Sequence, residues 1–402
     1  MTEPITDSEV PAYPLCPMDR LDAYPVYDRL RAEEPLTKVR LPYGEPTWLA
    51  TRHADVRALL MDQRFSREAG LAKDAPRFAP GPYAYSIPFM DQPVHTNARK
   101  LVARAFTKKR IEALRPDVQR IADELIDSLV ARGRGADIVD IIARPLPVAV
   151  NCVLYDVPEA DRADFLAWSV GLLSTTDAPV EDFVANFTNL LAYTAKLIDE
   201  RREQPGEDLV SALVQVWDAQ DDFPAEELPN HVVALLLGGH EPVAAHLANS
   251  LYTLLERPEH YAQLHERPEI MPTAVEELLR FVSIGDVFGF GSYATEDIEL
   301  EGGTVREGEP ILALLASANR DESVFERPDE LDLTREVNPH VAFGHGPHYC
   351  VGAWLARLEL QVVLSTLARR LPSLRLAEGD RTDWWYDITT VIRGLKKIPV
   401  EW

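Results

Sequence analysis

Apolar residues recur three or four positions apart in 111–132, 180–202, 228–255, 271–281 and 351–370. That spacing lines them along one face of a helix and predicts five helices. Shorter runs at 47–51, 297–300, 310–316 and 391–395 are apolar or β-favouring and bounded by glycine, proline or charge, which predicts brief strands. The expected fold class is mainly α with small β-sheets, the strands lying nearer the two ends of the chain. Prolines are spread out and no segment repeats, so one domain over 1–402 is expected, with about 1–17 loosely held.

Composition narrows the function. A chain of 402 residues, 46% hydrophobic, can bury a sizeable core. Its formal charge of -24 repels phosphate backbones, and no arginine-rich arm offsets it, so no nucleic-acid partner is expected. The start of the chain carries acids and prolines instead of a basic and then apolar leader, and no run of about twenty apolar residues occurs, so neither a secretory signal nor a membrane span is expected. Cys16, Cys152 and Cys350 stand at unrelated spacings, which offers no disulfide framework and suggests a reduced, cytoplasmic protein.

The most informative stretch is Phe343-Gly344-His345-Gly346-Pro347-His348-Tyr349-Cys350-Val351-Gly352, followed directly by a helical pattern. Its glycines allow a tight turn and close backbone approach to a flat partner. A cysteine just ahead of a helix meets unpaired amides and the positive end of the dipole, which favour a thiolate suited to a soft metal. Two other readings remain open: a buried structural cysteine, or a zinc site drawn from His340, His345, His348 and Cys350, although that spacing is crowded.

The pattern Phe-x-x-Gly-x-x-x-Cys-x-Gly resembles the haem-binding signature of the cytochrome P-450 superfamily at every fixed position. The resemblance implies a single prism-shaped domain with haem b held between a central helix and the helix after the cysteine. It makes Cys350 the axial ligand of the haem iron, whose electron donation helps cleave dioxygen, and sets Phe343, Gly344 and Gly352 against the haem. By the same resemblance His95 and Arg99, one helical turn apart, would meet the haem propionates together with His348. Ser292 occupies a place where related sequences often carry a propionate-binding arginine. Glu277 and Arg280 match the family's Glu-x-x-Arg pair, with Arg327 expected to complete a structural charge network.

The segment Gly238-Gly239-His240-Glu241-Pro242 resembles the family's oxygen-activating helix, where Gly238 and Gly239 would leave room for dioxygen and Glu241 would serve proton delivery. The family usually places threonine after the acid. Proline cannot relay a proton, and it deprives the carbonyl of residue 238 of its helical partner, so a kink is expected. Substrate contacts would come from Tyr85, Phe89, Ser283, Asp286, Val287, Phe288, Ile388 and Thr389, an aromatic and polar set suited to a medium-sized secondary metabolite. The chain has no flavin or dinucleotide motif, so electrons should come from a ferredoxin and its reductase, docking on Arg99, Lys100, Arg104, Lys108, Lys109 and Arg110. The reaction implied is hydroxylation or epoxidation; the alternatives are oxidative C–C or C–N coupling of an indole- or diketopiperazine-like substrate, and a non-catalytic haem sensor or carrier.

Overall fold

The structure is a computed structural model that describes residues 10–15, 21, 25–78, 86–172, 180–219, 224–285, 291–385 and 393–402. Its helices are α1 (Pro25–Glu33), α2 (His53–Met61), α3 (Val94–Ala105), α4 (Lys108–Ala113), α5 (Arg115–Arg132), α6 (Pro145–Leu154), α7 (Arg162–Val170), α8 (Val180–Glu203), α9 (Leu209–Trp217), α10 (Leu228–Leu255), α11 (Pro258–Glu266), α12 (Met271–Phe281), α13 (Leu315–Ala318) and α14 (Ala353–Arg370). The strands are β1 (Leu36–Val39), β2 (Thr47–Ala50), β3 (Phe65–Ser66), β4 (Ala136–Asp137), β5 (Ser292–Ala294), β6 (Ile298–Leu300), β7 (Gly303–Val305), β8 (Pro310–Ala313), β9 (Arg375–Leu376) and β10 (Pro399–Glu401). A mainly helical chain with small sheets is therefore what forms. Its contacts gather into two compact units interleaved along the chain.

The first unit, Met1–Asn97 with Glu276–Cys350 and Asp387–Arg393, is built on a five-stranded sheet of order β1-β2-β8-β5-β3. β8 is apolar throughout because both of its faces are covered. Ile311 and Ala313 enter a core with Val56, Leu59 and Phe65, whereas Leu312 enters one with Tyr27, Leu30 and Val39. The second unit, Ala98–Val275 with Val351–Tyr386 and Gly394–Trp402, is a helical assembly. In it α10 packs against α6 and α8, while α14 packs against α5, α11 and α4. A small sheet of order β4-β10-β9 closes the C-terminus onto β4.

The pattern over 228–255 and 271–281 yields α10 and α12 with the expected bounds. The run at 111–132 forms two helices, because Pro116 at the second position of α5 supports a fresh start and cannot lie in a helix interior without cost. At 310–316 the strand stops at Ala313 and the chain turns into α13. The expected strand at 391–395 lies partly outside the described residues; within them, Leu395 makes only an isolated bridge to Trp385. Periodicity gave no notice of α1, α2, α6, α7, α9 or α11, all of them only nine or ten residues long.

Candidate active site

The cysteine loop belongs to the first unit. Gly344 and Gly346 have φ of +71° and +70°, in the left-handed region that disfavours a side chain. At Gly346 a Cβ would also come within 2.5 Å of the Leu60 carbonyl oxygen and 2.8 Å of Met61 Sδ at the end of α2, so only glycine fits. The Cys350 amide closes the turn by donating to the Phe343 carbonyl at 2.9 Å. Cys350 itself is exposed, three residues ahead of α14. A Cβ at Gly352 would meet no atom of the described residues within 4 Å, so packing does not demand the glycine there.

His95, buried in the first turns of α3, lies beside His348 with ring centroids 3.9 Å apart. Two residues 253 positions apart in sequence are thus brought together next to the cysteine loop, both expected to face an anion. Arg99 follows one turn later on α3, half-buried. The donor set fits a haem: a soft, exposed sulfur donor on a loop open to close approach, flanked by a histidine pair for carboxylates. It does not fit zinc. His340 receives the Ala342 amide on Nδ1 and donates Nε2–H to Glu276 at 3.0 Å, His345 Nε2 faces Arg57, and no metal-holding group of three or more His, Cys, Asp or Glu exists among the described residues.

The first unit also holds a buried charge network. Arg280, fully buried, forks onto Glu277 with Nε–Oε2 at 2.8 Å and Nη2–Oε1 at 2.7 Å, and its remaining hydrogens reach the carbonyls of Asn319, Pro328 and Glu330. Glu277 also accepts from Arg335 Nε and Asn338 Nδ2, both at 3.1 Å, and from the Asp332 amide at 3.0 Å. Arg335 therefore completes this network. Arg327, expected in that role, is exposed and pairs with Glu330; it offers only its backbone carbonyl toward Arg335. Nearby Arg320 donates to Asp329 and stacks on Phe281, and burial lowers its pKa to about 10, assisted by the like charge of Arg280.

In the second unit α10 runs unbroken through Pro242. A Cβ on Gly238 would meet nothing within 4 Å among the described residues, but one on Gly239 would meet the Asn151 side chain at 3.5 Å. The two glycines thus differ: Gly238 opens onto space, whereas Gly239 admits a neighbouring helix. Glu241 is half-buried. Of the expected basic face, Lys100, Arg104, Lys108 and Lys109 are exposed and Lys108 lies over the Trp354 ring, while Arg110 turns to the Glu207 carbonyl.

Of the expected substrate contacts, Phe89 is buried in a single helical turn and the Ser283 hydroxyl is turned to the Gly285 carbonyl at 2.7 Å. Tyr85, Asp286, Val287, Phe288, Ile388 and Thr389 lie outside the described residues. Ser292 lies in β5 opposite Ile311.

The cytochrome P450 family model matches residues 34–378. The chain belongs to the cytochrome P450 family. It is similar to nocardicin C N-oxygenase of Nocardia uniformis subsp. tsuyamanensis, 47% identical over 99% of this chain and 100% of that protein. Mycinamicin IV hydroxylase/epoxidase of Micromonospora griseorubida is 44% identical over 99% of this chain and 100% of its own length. Among solved structures, the mixed-function P450 MycG superposes with a TM-score of 0.93 at 44% identity, over 98% of this chain and 100% of that one. This P450 is accordingly an oxidoreductase. None of its described helices is long and apolar enough to cross a membrane.

Proposed function

We propose that this P450 is a monooxygenase that inserts one atom of dioxygen into a medium-sized, partly aromatic secondary metabolite, drawing electrons in the cytoplasm from a ferredoxin and its reductase. The observation that carries the reading is Cys350, exposed at the end of a turn that Gly344 favours and only glycine at 346 permits, beside the His95–His348 pair. Haem bound there would supply the reductive activation of dioxygen. The names of both relatives denote oxygen insertion, which favours insertion over coupling.

The chain's own residues do the remaining work. Cys350 would provide the sulfur that holds the haem iron, three residues ahead of α14. His95, Arg99 and His348 would hold the propionates, and Phe343, Gly344 and Gly352 would let the loop approach the macrocycle. Glu241 is the titratable group next to the place where the family carries an alcohol. Since Pro242 can neither donate nor relay, protons arrive through Glu241, through water held by the Gly238 carbonyl that Pro242 leaves unpaired, or through a polar group of the substrate.

Turnover under isotopically labelled dioxygen tests the proposal. A product carrying one labelled oxygen is expected. A dehydrogenated or dimeric product without label would establish coupling instead, and a carbon-monoxide band of thiolate type with no product from a broad metabolite panel would leave a carrier or sensor.

A further inference from the structure

Three buried polar atoms of the second unit have no hydrogen-bond partner among the described residues and belong to helices that pack on one another: Asn151 Nδ2 on α6, Ser169 Oγ on α7 and His240 Nε2 on α10. Their residues are 2%, 0% and 1% exposed, and α6 packs against both α7 and α10. Two contacts set Asn151 and Ser169 against consecutive residues of α10. The Asn151 amide lies along Gly239, where a Cβ would stand 3.5 Å from Oδ1 and 3.6 Å from Nδ2. The neighbouring His240 ring is faced by the Ser169 backbone carbonyl, although no hydrogen bond of good geometry forms to Nε2.

An unpaired buried donor or acceptor bears its whole desolvation penalty, so three on touching helices call for an occupant. The chemistry selects a small one with both hydrogen-bonding roles. His240 Nδ1 lies 3.4 Å from the Leu236 carbonyl and the Ser169 carbonyl also faces the ring, so either nitrogen of the neutral imidazole can carry the proton and Nε2 donates or accepts accordingly. Burial keeps the ring neutral by lowering its pKa to about 4. Asn151 Nδ2 is a donor and the Ser169 hydroxyl serves either way. A water accepting from Asn151 and bonded to His240 and Ser169, as donor or acceptor, satisfies all three, within the two to four partners usual for internal water.

We infer that Asn151, Ser169 and His240 form an internal water site that ties α6 and α7 to the turn of α10 carrying Gly238, Glu241 and Pro242, with His240 as a positioning residue. The need for such a tie follows from Pro242. The backbone there lacks one internal hydrogen bond, so the turn before it is held less firmly by its own helix. An anchor two residues ahead of the proline fixes how Glu241 is presented. The water site stands on the three atoms alone, and only its effect on turnover rests on the monooxygenase reading.

The two are tested apart. A crystal structure of the haem-loaded protein fine enough to show solvent should reveal a water within hydrogen-bond distance of Asn151 Nδ2, Ser169 Oγ and His240 Nε2; direct bonds among the three side chains, or a dry site, would overturn the inference. His240→Phe should make the amides of 235–241 exchange with deuterium about tenfold faster while those of α5 are unchanged, and His240→Gln, whose amide keeps an acceptor, should restore protection. Uniform acceleration across the chain, or no recovery with glutamine, would mean packing alone. With electron supply held constant, His240→Phe should also divert more electrons from product to peroxide. Diversion without the water would sink the site, and the water without diversion would sink the positioning role.

Discussion

At the scale of single residues, the cysteine loop was legible because its requirements are local: a tight glycine turn and a sulfur ahead of a helix can be read from ten consecutive letters, and the left-handed backbone at Gly344 and Gly346 is how the turn is made. Cys350→Ser should abolish the thiolate-type absorption of the reduced carbon-monoxide complex while circular dichroism stays native. Gly346→Ala should cost about 2 kcal/mol or more, since it combines a disfavoured φ with a backbone clash at Leu60; chemical unfolding of the apoprotein measures it. The third arginine was not legible. Arg327 sits in a proline-marked turn that attracts attention, whereas Arg335 lies in an aperiodic stretch whose approach to Glu277 depends on tertiary folding. Arg335→Ala should therefore destabilise by about 3 kcal/mol, because it leaves a buried carboxylate short of charge, while Arg327→Ala should stay within about 0.5 kcal/mol.

At the scale of elements, long periodic helices were readable and short ones were not, since nine residues hold barely two turns of pattern. α10 and α14 each carry a residue at odds with the helix around it. On α14 that residue is Glu359, fully buried, with both carboxyl oxygens unpartnered among the described residues and its pKa raised well above 4.5 by burial. In the unfolded chain this carboxyl ionises near 4.5, whereas in the fold it keeps its proton to higher pH. Its contribution to stability is thus fully present below pH 4.5 and is lost as pH rises toward the folded value. Glu359→Gln should remove that fall, so the variant gains on the parent steadily above pH 4.5 in unfolding titrations. A constant difference across pH would refute the assignment. On α10 the anomaly is Pro242. Pro242→Ala restores an N–H donor to the Gly238 carbonyl and should stabilise by up to about 3 kcal/mol, in the same assay.

At the scale of the whole molecule, sequence order hides the partnerships that matter. β2 lies parallel to β8, Trp48 opposite Ile311, and each unit is stitched from three separated stretches; no local pattern announces pairings across some 260 positions. Charge is different, because it is summed without regard to order. A chain of formal charge -24 repels an acidic protein at long range, so an acidic electron donor must find a local exception. On the ferredoxin reading proposed above, Lys100, Arg104 and Lys109 would provide one, exposed within ten residues of chain. The attraction is short-ranged and the repulsion is not, so salt acts on both. At about 0.15 M ionic strength, where screening reaches about 8 Å, the distant acids are largely masked while a docked ion pair keeps part of its strength. Raising salt further should then slow reduction by an acidic ferredoxin about tenfold, and Lys109→Glu should reproduce much of that loss at low salt without altering the carbon-monoxide spectrum. Stopped-flow reduction across an ionic-strength series decides it: a rate that rises monotonically with salt would mean that global repulsion governs the encounter and that docking lies elsewhere.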